Sequence, residues 1–319
     1  MGKVILNLNG LRCILATLVV YAHVTQNQIT GKYAVSTFFV LSGFLMGLKY
    51  SSRESKFGFK KILTSMFKLY PGHLLMLILF SAIAIRVLHK DLFDVGVSFI
   101  AHALFVQSWM PTSWIELLNS PTWFLATYFG ILYMFCLYKR TTVVLIVDAL
   151  LCGVVLLTHE VIDEYWWYYA SPYMRFFDFI IAYYLGKFTL SQNEKISIKA
   201  GWGLWGVLLV IIFLTVFVRV RYWDMMPESI RYSLIYLPSS LLIVYTLYRS
   251  EKCSMLPCRV LQSKILQVLG GGGKPSDVSI PLVLCENGLL FIQGCPSSDY
   301  VSNSVCIDNM YSCVNEKIF

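Results

Sequence analysis

The sequence predicts an all-α, polytopic membrane helix bundle with about eight transmembrane helices and one further apolar segment too short to span. Three observations carry this expectation. Of the 319 residues, 57% are apolar and 14% charged, whereas a soluble chain carries roughly a quarter charged residues. Apolar runs near membrane-spanning length are spread from residue 8 to residue 248, so no soluble domain separates from an anchor. Lys and Arg gather between the runs, as the positive-inside rule requires.

The runs fall at 8–28, 33–49, 70–88, 94–108, 121–138, 142–158, 172–190, 202–218 and 230–248. No small-residue cleavage site follows the first, which is therefore read as mature structure. Lys49, Arg53, Lys56, Lys60, Lys61 and Lys68 are expected in one connection, placing it and the N-terminus in the cytoplasm. Lys139 and Arg140, then Lys187, Lys195 and Lys199, then Arg249 and Lys252 mark further inside connections. The stretch "HEVIDEYWWYYASP" has no Lys or Arg and suits an outer loop rimmed by interfacial aromatics. These sides agree only if one run fails to cross. The short 94–108 run, which contains His102, is the candidate for a re-entrant, interfacial or buried position.

Residues 1–250 are read as the transmembrane domain and 251–319 as a cytoplasmic tail. After about residue 269 the tail turns to Gly, Ser and scattered Cys, a composition that points to poor order. Cys13, Cys136 and Cys152 lie in apolar runs and read as small hydrophobes. Cys285, Cys295, Cys306 and Cys313 lack the paired spacing of a zinc site, so neither a metal nor a disulfide framework is expected. The net charge of +8 comes without a nucleic-acid motif, and nucleic acid is not an expected partner.

The first run, "GLRCILATLVVYAHV", carries the chemistry of greatest interest. Arg12 and His23 are eleven positions apart, so a helix brings both to one face about 16 Å apart along the axis. Ionisable groups inside a membrane usually mark a site or pathway. The plainer alternative is a snorkelling Arg and a hydrogen-bonded interhelical His. In the second run, Ser42–Gly43 permits close helix approach. A nucleophilic Ser42 would need a base and an orienting group besides.

"LNGLRCILATLVVYAHV" followed by "FFVLSGFLM" resembles the opening of the acyltransferase-3 family of integral-membrane acyltransferases. The family's Arg (or Lys), ten residues, His pattern is matched by Arg12 and His23. Its Phe-Phe-x-x-Ser-Gly-aromatic pattern is matched by Phe38, Phe39, Ser42, Gly43 and Phe44. "SPTWFLATYFG" resembles its Trp-x-Leu helix at Trp123 and Leu125, and "SPYMRFFDF" its later segment at Arg175, Asp178 and Phe179. The chain departs from the family in three places. Ser65 and Lys68 stand where an Arg-x-x-Arg pair is usual, and Tyr128 where many members have Glu. The final Ser-Tyr-rich helix does not follow "QVLG", and the tail reads as the product of a frameshift or truncation.

The resemblance implies O-acyl transfer from acyl-CoA, most commonly acetyl-CoA, to a hydroxyl of a cell-surface or lipid-linked glycan at the bacterial inner membrane. It implies no bound cofactor. It makes His23 the general base, and gives Arg12 the donor's phosphate or carbonyl oxygen, or charge developing on the thioester. Lys68, Lys61 and Lys60 would then serve the donor, with Ser42, Gly43, Trp123, Arg175 and Asp178 supporting. A transporter using the same charges would show repeats or paired broken helices, and neither is visible. An inactive relative lacking its last helix is the other alternative.

Overall fold

The computed structural model describes residues 5–25, 27–50, 57–115, 118–119, 122–139, 141–158, 163–192, 197–253 and 255–270. Among them every regular element is helical. The helices are α1 (Leu6–Thr25), α2 (Gln28–Lys49), α3 (Phe59–Arg86), α4 (Leu92–Ala103), α5 (Trp123–Tyr138), α6 (Val143–Thr158), α7 (Pro172–Ser191), α8 (Ile198–Arg221), α9 (Glu228–Tyr232), α10 (Leu237–Arg249), α11 (Leu256–Leu261) and α12 (Lys264–Leu269). Helices α1, α2, α3 and α8 are long and apolar enough to cross a bilayer. Helix α7 has 20 residues but carries Arg175, Asp178 and Lys187. Only helices satisfy their own backbone in lipid without closing into a barrel, and the result is an all-α membrane bundle. Its outer faces are apolar: Val210, Phe213 and Phe217 of α8 and Ile146, Val147 and Leu150 of α6 are all exposed.

Helix α2 is central and packs most extensively on α7, then on α1 and α10. The reason is an absence of side chains. A Cβ on Gly43 would lie 2.1 Å from the Phe179 carbonyl oxygen, one on Gly47 2.1 Å from that of Tyr183, and one on Gly186 2.3 Å from that of Phe44. Glycines on both helices therefore bring the two backbones into contact, the small-residue packing of membrane helices.

Two expectations need correction. Lys60, Lys61 and Lys68 lie in α3 rather than in a connection. That helix starts at Phe59 and runs through Pro71, because a membrane helix tolerates an interior proline whose freed backbone groups find other partners. Arg53, Lys56, Arg140 and Lys195 fall outside the described residues. The aromatics of "EYWWYYA" are not an interfacial rim: Trp166–Ala170 form a buried π-helical turn. It is held by Trp166 Nε1 donating to the Ser108 carbonyl at 2.9 Å and by packing on Cys152 and Met174. The 94–108 run, by contrast, yields the 12-residue α4, only about 18 Å long and too short to span.

Residues 251–270 dock on the first helix. Glu251 caps α1, its Oε1 and Oε2 accepting from Leu6 N at 2.7 Å and Asn7 N at 2.8 Å. Gln262 Nε2 donates to Asn7 Oδ1 at 2.9 Å, and Asn9 Nδ2 to Gln267 Oε1 at 3.0 Å. Gly10 admits the Leu261 backbone, whose carbonyl oxygen would lie 2.3 Å from a Cβ there. A carboxylate on a helix N-terminus satisfies orphan N–H groups and opposes the macrodipole. Glu251→Ala is expected to cost about 1–2 kcal/mol, read as a lower melting temperature of the solubilised chain. An unchanged melt would show that the cap is energetically idle. Residues 271–319, the rest of the predicted tail, lie outside the described residues.

Candidate active site

Helix α1 presents Arg12, Ala16, Val19 and His23, at i, i+4, i+7 and i+11, each partly accessible. This face turns towards the aromatic wall of α2 and α5. Val19 packs against the core that includes Phe39 and Phe129. Arg12 is within electrostatic reach of Tyr128, whose hydroxyl meets the Ser42 side chain. Arg12, Ser42 and Tyr128 thus come from three helices to one polar spot inside an apolar bundle. Ser42 Oγ also donates to the Phe38 carbonyl at 2.8 Å, an i−4 bond that fixes its rotamer. His23 stands in the last turn of α1 beside Ala22, which packs against Gly31 of α2.

Trp123 opens α5, and the backbone there is pinned by Ser108 Oγ donating to the Trp123 carbonyl at 2.8 Å. Its ring lies 4.9 Å from that of Tyr169, and Phe124 continues the wall by stacking on Tyr128 at 6.4 Å. Arg175 is fully buried one layer behind. Its Nε donates to the Tyr169 carbonyl at 2.7 Å, and its NH1 to Asp178 Oδ2 at 2.8 Å and to Ser36 and Ser233 Oγ at 3.1 Å each. Asp178 Oδ2 accepts from Ser233 as well. With this many partners, the pair ties α2, α7 and the segment before α10 together.

At the opposite end of α2 from His23, Tyr50 gathers cations. Lys61 Nζ donates to its hydroxyl and Lys139 Nζ to its carbonyl, the latter at 3.1 Å. Partial burial, with the nearby Lys187 ammonium second, holds Lys139 below the ordinary lysine range. Lys60 and Lys68 lie exposed on α3. Lys139 and Lys187 were legible from sequence as inside charges, but the meeting of Lys139 with Lys61 on Tyr50 depends on how the helix ends assemble. Tyr128 was legible only as a departure from pattern, and its place beside Arg12 needed the fold.

Comparison with known proteins identifies the family. The family model for the acyltransferase domain, acyltransferase-3, matches residues 5–271. Acyltransferase MdmB of Streptomyces mycarofaciens is 29% identical over an alignment of 152 positions that covers 42% of this chain and 39% of that relative. The match therefore spans well under two thirds of the relative's length. No solved structure matches. Four motifs lie in family order, Gly43 of the second packs on Phe179 of the fourth, and the family model spans most of the chain. The chain belongs to the acyltransferase-3 family of membrane acyltransferases.

Proposed function

We propose that the chain transfers an acyl group, acetyl in the first instance, from acyl-CoA to a hydroxyl of a cell-surface or lipid-linked glycan. The inner membrane is the proposed location, with the N-terminus cytoplasmic. The single observation that carries this reading is the shared face of α1, with Arg12 within electrostatic reach of Tyr128, whose hydroxyl meets Ser42, and His23 about three turns further on.

The separation assigns the roles. Two groups about 16 Å apart along a helix cannot both touch one carbonyl carbon. His23 then serves the reacting end: neutral imidazole near physiological pH accepts the hydroxyl proton. The hydroxyl oxygen attacks the thioester carbon, the carbon–sulfur bond breaks, and the proton passes from the imidazolium to the leaving thiolate. The thioester is already activated, so no covalent enzyme intermediate is needed. Arg12 serves the donor arm further along the track. Its guanidinium can fork to a phosphate or carbonyl oxygen, as Lys68 at the α3 position cannot. Lys61, Lys139 and Lys187 supply positive charge at the cytoplasmic end, where the nucleotide phosphates of acyl-CoA would rest.

The test is transfer of labelled acetyl from acetyl-CoA into the saccharide fraction of membranes carrying the chain. Base-labile label in that fraction is expected. A Lys61→Ala/Lys139→Ala variant should raise the KM for acetyl-CoA about tenfold, as loss of a charged contact worth about 1.4 kcal/mol would. No label above that of membranes lacking the chain contradicts acetyl transfer to glycan.

A further inference from the structure

Helix α6 carries a carboxyl group in the middle of the apolar run "VVLIVDALLCGVV". Asp148 is 3% exposed, and neither of its carboxyl oxygens has a hydrogen-bond partner among the described residues. It lies on the inner face of α6 with Cys152, and within electrostatic reach of Tyr173 in the first turn of α7. Trp167 of the π-helical turn stacks on the Tyr173 ring at 5.6 Å, with the planes 25° apart. Trp167 is 5% exposed, and its Nε1–H is also unpartnered among the described residues. Trp109 meets the Tyr173 ring edge-on at 5.5 Å.

An unpartnered buried polar group costs about 1–3 kcal/mol, and a carboxyl group in a membrane helix is rare unless it has a task. Here an orphan acceptor pair and an orphan donor flank one aromatic ring. A cation would satisfy Asp148 and leave the indole N–H unmet. An anion would accept from the indole and be repelled by the carboxylate. An uncharged hydroxyl both donates and accepts, and so meets both. We infer that Asp148, Trp167 and Tyr173 form a subsite for a hydroxyl of an uncharged saccharide. The inference deepens the glycan reading above and rests on it for the identity of the ligand.

The test uses the full chain in nanodiscs, with methyl glucoside and methyl N-acetylglucosaminide as probes and glycerol as control, read by thermal shift. Saturable stabilisation by a saccharide is expected, at least tenfold weaker in Asp148→Asn and in Trp167→Phe. The second variant keeps the stacked ring and deletes only the N–H, and each variant's melt without probe reports whether it folds. No saturable shift with either saccharide overturns the inference, as do unchanged affinities in both variants or equal stabilisation by glycerol. Acetyl transfer measured on the same sample keeps the two readings apart. Saccharide binding without transfer sinks the reaction and leaves the site, and transfer without saccharide stabilisation does the reverse.

Discussion

Replacing Gly43 with valine is expected to lower stability by about 3 kcal/mol and to abolish activity with it. A Cβ at this position would sit 2.1 Å from a backbone oxygen of α7, and backbone cannot rotate away as a side chain can. The two central helices must separate along the row that also holds Gly47 and Gly186. Separation would carry Ser42 away from Tyr128 and Arg175 away from Ser36, so that the polar spot and the buried network open together. The measurement is the melting temperature of the solubilised variant. A Gly43→Val protein that melts like the wild type would show that α2 and α7 do not pack as described.

Arg175→Met should be at least as damaging, costing about 3–5 kcal/mol, because it strands the buried Asp178 without its counter-charge. Restoring balance is the sharper half of the prediction. A second change, Asp178→Asn, should recover much of the loss, since a buried pair removed together costs far less than one partner removed alone. If Arg175→Met and the double variant melt alike, the pair is not coupled. The five donations from Arg175 would then outweigh the charge itself.

The residues explain how far the sequence could be read. Apolar runs give helices wherever length and composition decide, as in α1, α2 and α8. Arg175 and Asp178 are three residues apart on one helix, so their ion pair is visible in the sequence. Gly43 and Gly47, four apart, already mark a contact face. What the sequence hides depends on remote partners. The start of α3 was masked by Pro71, a residue that usually signals a boundary. The π-helical turn at Trp166–Ala170 reads as an interfacial loop because its burial comes from α6, α7 and the Ser108 carbonyl. The cap that Glu251 places on α1 joins residues 245 positions apart, beyond any local pattern. At the site, Arg12 and His23 follow from helical spacing alone. Tyr128 and the Lys61–Tyr50–Lys139 cluster do not, and Asp148 stood unremarked inside an apolar run.

The central claim is that His23 is the base of a thioester-consuming reaction. It is tested most directly by the release of free CoA from acetyl-CoA in membranes carrying the wild-type chain, beside His23→Ala at matched expression. Release by the wild type is expected, falling at least a hundredfold in the variant, as for loss of a general base. Equal release from both, or none above background from either, would contradict it.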